Sequence, residues 1–318
     1  MRRAFAAVAL AATVAAASGS AAAPAERITY AVVASNLQYR TEPPPARFTA
    51  DLVSIRPDAR VRRPLTRTQA WEDDPVWSPD RRRLAFTRGT PVCHAATCSG
   101  SNDSAIWVTY ASGAPPRRLT RPPDGYADSG PAWSPDGRTI AFFRRLPTDA
   151  GTEDGVYLID AGGRGVRRLT STRAEARHLA WSPDGRTIAV GLVLIDSRTG
   201  ASTPISAATA PFVDAVAWSP DGRLLAFTND RGVHVVAAAS GGQPRLVAAA
   251  RFVRGVAWSP DGRRLVFAGR RTPLREHSEE RIEPSTDLYV VGADGRGLRR
   301  LTATPGPEFS PSWREEDS

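Results

Sequence analysis

Four histidines, two cysteines and a recurring set of acidic residues are what this 318-residue chain offers for chemistry. His94, His178 and His277 are of the type that holds a metal ion or moves protons, and in the fold they could come together at one place with Asp or Glu neighbours. If they converge, a metal-dependent lyase or hydrolase is open to the chain. His234 falls instead in a column with Trp107, Tyr157 and Tyr289, which reads as a packed structural position. Cys93 and Cys98 lie close together in Cys-His-Ala-Ala-Thr-Cys. A metal site there would need more ligands than His94 supplies, and the order differs from haem attachment. No Gly-x-Ser-x-Gly elbow, His-Glu-x-x-His pair or Walker-type loop is present, and the absence of Lys excludes amine catalysis. The reading favoured by these residues is a protein with no catalytic residue, no cofactor and no metal.

The N-terminus sets the compartment. Arg2 and Arg3 precede an apolar run from Ala4 to Ala17, too short and Ala-rich for a membrane span. Ala23-Pro24-Ala25 offers small residues for cleavage. Residues 1–25 are therefore expected to be a signal peptide, with an uncleaved anchor as the alternative and a weak twin-arginine character at the start. The protein is expected to be secreted or periplasmic, with no transmembrane span in the mature chain. In that oxidising setting Cys93 and Cys98 are expected to form a local disulfide.

The net charge of +9 could suit anionic partners, but all 42 basic residues are Arg and they are scattered. With so much Ala, Pro and Gly, this is the mark of a GC-rich coding sequence. Nucleic acid is not expected as a partner.

The elements that would carry any site are repeats. Trp77-Ser78-Pro79-Asp80 recurs, with a following Gly, at Trp133, Trp181, Trp218 and Trp258, and Pro311-Ser312-Trp313 is a partial copy. The Trp residues are separated by about 37–56 residues, which fits a four-stranded blade of about 40 residues with inserted loops. Pro-Asp-Gly is a tight reversal between strands. An alternating strand such as Arg138-Thr139-Ile140-Ala141-Phe142 follows, then a third strand such as Val156-Tyr157-Leu158. An outer strand often ends in Leu-Thr after an Arg pair, as at Arg117-Arg118 and Arg299-Arg300. Charged edges of that kind discourage edge-to-edge pairing. Arg81 stands where the turn wants Gly, so that turn is expected to be strained or differently shaped. The last unit has the Trp strand without the next one, and the first, from Arg27-Ile28-Thr29-Tyr30-Ala31-Val32, has the next one without the Trp strand. Joined, they would close a ring. The expectation is an all-β, six-bladed β-propeller of four-stranded blades over residues 26–318, closed by pairing of the two termini in one blade.

This pattern, Pro-x-Trp-Ser-Pro-Asp-Gly-Arg-x-Ile-Ala-Phe followed by a Tyr-Val strand and Arg-Arg-Leu-Thr, resembles the TolB-like, WD-repeat-like propellers across nearly all of residues 27–313. TolB itself has an additional N-terminal α/β domain for which this chain has no room. The resemblance implies that the strand containing each Trp lines a central channel. The residues four before each Trp are Asp73, Ser129, Arg177, Asp214, Arg254 and Phe309, flanked by Asp74, Asp128, His178 and Glu308. Of these, Asp73, Asp74, Asp128, Arg177, His178, Asp214, Arg254 and Glu308 are the candidate partner-binding residues at the channel mouth. Long loops at 35–47, 87–104, 143–155 and 270–286 are expected on the same face. The function this implies is a monomeric, non-catalytic binding or scaffold protein of the cell envelope for a protein or peptide. The alternatives are a carbohydrate-binding propeller and the metal-dependent enzyme above.

Overall fold

The Ser-Pro-Asp-Gly turn shows how the repeat builds sheets. In Ser134-Pro135-Asp136-Gly137 the Gly137 amide donates to the Ser134 carbonyl at 2.9 Å, and the Ser134 hydroxyl donates to Asp136 Oδ1 at 2.6 Å. The Thr139 amide then donates to Ser134 Oγ at 2.9 Å, which fixes where the next strand starts. Equivalent bonds recur at Ser182, Ser219 and Ser259. Gly137, Gly185, Gly222 and Gly262 take φ between +67° and +71°. Arg81 keeps the same turn, its amide donating to the Ser78 carbonyl at 2.8 Å, and takes φ +61° itself. The turn is thus conventional in shape and strained in conformation, because an L side chain is disfavoured there.

A computed structural model describes residues 26–33, 49–57, 62–91, 93–94, 97–98, 103–148, 151–172, 176–205, 213–239, 242–271, 286–304 and 306–315. The expected signal peptide and His277 lie outside these residues. Four four-stranded antiparallel sheets follow one another along the chain, each in simple up-and-down order. Their innermost strands are Ala127–Trp133, Leu179–Trp181, Val216–Trp218 and Val256–Trp258. The remaining main strands form one eight-stranded sheet. Its order is Glu308–Glu315, Glu26–Val33, Ala50–Ile55, Trp71–Trp77, Arg83–Gly89, Ala105–Tyr110 and Arg117–Arg118, with Arg62–Pro64 paired to Ala50–Ile55 off that path.

The expectation of six four-stranded blades is therefore corrected: four such blades stand alone. The other strands are joined by one parallel bridge between Ala50 and Trp71, where the Ala50 amide reaches the Ala70 carbonyl at 3.3 Å. The physical reason is one local approach: the Ala50 end of Ala50–Ile55 meets the Trp71 end of Trp71–Trp77 closely enough to pair, whereas Ala127–Trp133, also seven residues long, pairs only within its own sheet. A repeat count registers turns and Trp positions and cannot register such a contact. The two chain ends do pair, Glu26–Val33 running antiparallel to Glu308–Glu315 with Ile28 opposite Trp313.

Apolar clusters fill the gaps between successive sheets. Phe143, Val156, Leu179 and Ile188 pack in one gap, Val235, Trp258, Leu265 and Phe267 in another. A further cluster, around Leu52, Trp71, Phe86 and Phe309, lies inside the eight-stranded sheet. Burial on this scale, at about 25 cal/mol per Å² of apolar surface, is what holds the inner strands in a ring. Indole donors tie neighbouring inner strands together: Trp133 Nε1 reaches the Val76 carbonyl at 3.2 Å, Trp218 the Ala180 carbonyl at 3.2 Å and Trp258 the Ala217 carbonyl at 3.1 Å. His234 lies opposite Phe227 and stacks on it with ring centroids 5.1 Å apart.

The expected 143–155 loop is a correction too. Thr139–Thr148 and Gly151–Asp160 continue as paired strands to Thr148 opposite Gly151. Polar residues at its tip masked a strand hairpin. Cys93 and Cys98 face each other in a two-stranded ribbon, Cys93–His94 with Thr97–Cys98. Among the described residues no helix is long and apolar enough to cross a membrane.

Candidate functional site at the channel mouth

The inner strands surround a central channel of about 570 Å³, walled by the repeated Trp and Pro residues and reached by Asp74, His178 and Ser310. The last three come from parts of the chain far apart in sequence and meet at one point. His178 Nε2 lies 3.0 Å from Asp74 Oδ1 and 3.2 Å from Ser310 Oγ, and its Nδ1 lies 3.4 Å from the Asp214 carbonyl oxygen. Asp74 Oδ2 accepts from the Thr87 hydroxyl at 2.8 Å and from the Gly130 amide at 3.1 Å. Ser310 Oγ donates to Asp74 Oδ1 at 3.3 Å.

A bulge in the first strand makes this meeting possible. Pairing of Trp71–Trp77 with its neighbour slips between Asp73 and Val76, and that of Ala127–Trp133 slips between Ser129 and Ala132. At the slip Asp74 takes φ +52° and Gly130 φ +60°, and Ser310 takes φ +52° at the corresponding place in the last strand. Such bulges re-aim side chains. Gly130 is required there, since a Cβ would sit 2.7 Å from the Arg177 carbonyl oxygen.

The electrostatics of the node are uneven. Burial works against a charged His178, but the Asp74 hydrogen bond and the charges of Asp74, Asp214 and Asp73 win and raise its pKa to about 9. A doubly protonated imidazole can donate to Asp74 and to the Asp214 carbonyl at once. Burial likewise opposes ionisation of Asp74, yet the His178 hydrogen bond and charge hold its pKa below the usual value. At Asp73 a Ser310 hydrogen bond and the His178 charge favour ionisation but are outweighed. Burial, followed by the Asp74 charge, pushes its carboxyl up to about 7. Asp73 Oδ1 accepts the Asp74 amide at 2.6 Å, which steadies the bulge.

The expected site residues separate into three groups. Asp73, Asp74, His178 and Asp214 converge, and Arg177 joins them through Nε to Asp214 Oδ1 at 3.2 Å. Arg254 stands beside them, lining a second pocket with Arg177 and Asp214. Asp128 and Glu308 turn away. Asp128, fully buried, is held by Arg144 at 2.7 and 2.8 Å. Glu308, also fully buried, accepts from Thr302, from Thr304 at 2.8 Å and from the Leu288 amide at 3.1 Å. Burial raises its pKa more than these partners lower it. Ser310, Thr87 and Gly130 belong to the node and were not among the expected residues. His94 is described only in its backbone. Among the described residues no three His, Cys, Asp or Glu side chains are grouped as metal ligands.

No family model matches the chain. Solved structures do. TolB from Acinetobacter baumannii is similar with a TM-score of 0.67 and 19% identity over 90% of this chain, which spans 66% of that protein's length. The fold is a β-propeller of the kind seen in TolB. A putative TolB from Agrobacterium tumefaciens is similar over 93% of this propeller and 100% of its own length, with a TM-score of 0.57 and 17% identity. The propeller in a nidogen–laminin complex matches 91% of the chain and 98% of its own, with a TM-score of 0.65 and 9% identity. Enzymes share the architecture as well, a lyase and a gluconolactonase among them. At these identities the likeness establishes the fold and leaves function to the site.

Proposed function

We propose that this propeller is an exported, non-catalytic binding or scaffold protein of the cell envelope that recognises a protein or peptide through its channel-mouth face. The supporting observation is the node of Asp74, His178 and Ser310. It ties distant inner strands into one rigid charged rim, with Asp73, Asp214 and Arg177 alongside. His178 Nε2 contacts both the carboxylate and the hydroxyl, so Asp74 does not orient the imidazole from its far nitrogen as a Ser-His-Asp triad requires. A pre-organised charged rim favours recognition by cutting the ordering cost of binding. The nidogen–laminin complex supplies the analogy for a protein partner.

The test is a pull-down from envelope extract with the mature protein, run beside a glycan array. Reversing the charges of Asp73, Asp214 and Arg254 together should abolish capture while circular dichroism stays unchanged. Undiminished capture by that folded variant refutes the reading, and selective glycan capture replaces the protein partner with a carbohydrate. N-terminal sequencing of exported protein should begin at Glu26.

A further inference from the structure

A second pocket, of about 450 Å³, lies beside the node and shares Arg177 and Asp214 with it. Its other walls are the hairpin tip at Asn229 and Asp230 and the segment Arg251–Arg254. We propose that this pocket is a carboxylate-recognising subsite for an acidic segment of the protein partner, with Arg177 and Arg251 as the anion-binding groups and Phe252 as an apolar platform. The inference rests on the channel-mouth reading above and deepens it.

Three observations carry it. The first is charge. Three arginines face two carboxylates, and one of these, Asp214, is buried and taken by Arg177 Nε. Arg177 remains 57% exposed, so the other guanidinium donors stay available for a planar, two-point grip on a carboxylate. The second is Phe252. It is 44% exposed and takes φ +52°, a genuine outlier for a bulky residue. Backbone pairing imposes that conformation. Arg251 and Arg270 exchange two hydrogen bonds of 2.8 Å, and the Arg254 amide donates to the Ala268 carbonyl at 2.9 Å. The segment is pinned on either side of Phe252, and the ring is left outside the core. Strain kept beside a pocket points to use, and rigid aromatics beside arginines are what protein-binding hot spots are made of. The third is the surroundings. Asp230 at the rim, with Asp73 and Asp74 in the adjoining node, would repel a continuous polyanion, whereas a single acidic side chain next to an apolar one fits between them.

The experiment uses the mature protein and three fluorescent probes: a decapeptide with Glu residues next to Leu and Trp, the same peptide with Lys for Glu, and a uronic-acid trisaccharide. The Glu peptide should bind best and weaken as salt rises. Arg251→Glu should weaken it by at least about tenfold. Phe252→Gly should weaken it as well while the Tm stays level or rises, since Gly accepts φ +52° without strain. Equal binding of the Glu and Lys peptides, unchanged affinity in Arg251→Glu, a lowered Tm in Phe252→Gly, or preference for the trisaccharide each overturns the subsite. Asp73 lies outside this pocket. If Asp73→Lys loses capture of the envelope partner and Arg251→Glu keeps it, the subsite fails and the channel-mouth reading stands. If both keep capture, the channel-mouth reading fails as well.

Discussion

Replacing His178 by Gln removes an imidazolium from the node and keeps a side-chain donor. The folded-state pKa of about 9, against 6.5 for an ordinary histidine, means that folding favours the protonated ring. A gap of roughly 2.5 pH units, at 1.36 kcal/mol per unit, corresponds to about 3 kcal/mol. The imidazole is only 19% exposed, so solvent screens little of this. The sign follows from linkage. Because the folded pKa is raised, the contribution is complete below pH 6.5 and is lost as the pH climbs through 9. Urea unfolding followed by Trp fluorescence should therefore find His178→Gln less stable than wild type by about 3 kcal/mol at pH 6, and nearly level with it above pH 10. Taking the difference between the two proteins cancels most of the titrations they share. A penalty equal at pH 6 and pH 10, or one below about 1 kcal/mol at pH 6, would show that the Asp74–His178 pair carries no net charge stabilisation and would refute the account of the node.

Asp128→Ala should cost about 3–5 kcal/mol in the same assay, because it strands the Arg144 guanidinium at 10% exposure without its buried partner. Gly222→Ala should cost about 1–2 kcal/mol from conformation alone, since an added Cβ there meets nothing closer than 3.6 Å but must take φ +71°. Thiol titration of mature protein purified without reductant should find no reactive thiol if Cys93 and Cys98, opposite one another in their ribbon, are joined.

The repeat was legible in the sequence because turn chemistry and Trp spacing are local. The mouth was legible only as a list, and the reason is a single-residue alternation. Five residues before each Trp stand Glu72, Asp128, Ala176, Val213, Val253 and Glu308, and all six are buried. Where this position is acidic, the carboxylate is locked inward, as in Glu72 with Arg88 and Asp128 with Arg144. The next residue along, Asp73, Arg177, Asp214 or Arg254, belongs to the mouth. Asp74, His178 and Ser310, one further on, form the node. Sequence reasoning pooled these neighbours because a strand offers two faces and the bulge that supplies the third direction leaves only a faint trace. That trace is Asp74, Gly130 and Gly255 at the same offset, residue types that tolerate positive φ. Ser310 has no such trace and was missed.

The arginines make a similar point about composition. Their number invites a reading in terms of anionic partners, yet many are used across the gaps between sheets. The Arg83 guanidinium lies 4.5 Å from the Trp133 ring centroid, that of Arg264 lies 4.9 Å from Trp313, and that of Arg314 lies 4.0 Å from Trp77, so cations repeatedly cap the indoles of the inner strands. On the outer strands Arg117 donates to the Ala161 carbonyl at 3.2 Å, Arg245 to Ala293 at 2.7 Å and Arg299 to Pro57 at 2.7 Å, each reaching the hairpin of the next unit. The Arg pairs that looked like protection for a sheet edge thus also bind one unit to its neighbour. Lysine could not take these places, because the planar fork stacks and donates at once and an ammonium does not. The formal charge of +9 therefore counts much of the fold's own fastening, and the arginines proposed above for a partner are the few around Arg177 and Arg251, where strain and exposure coincide.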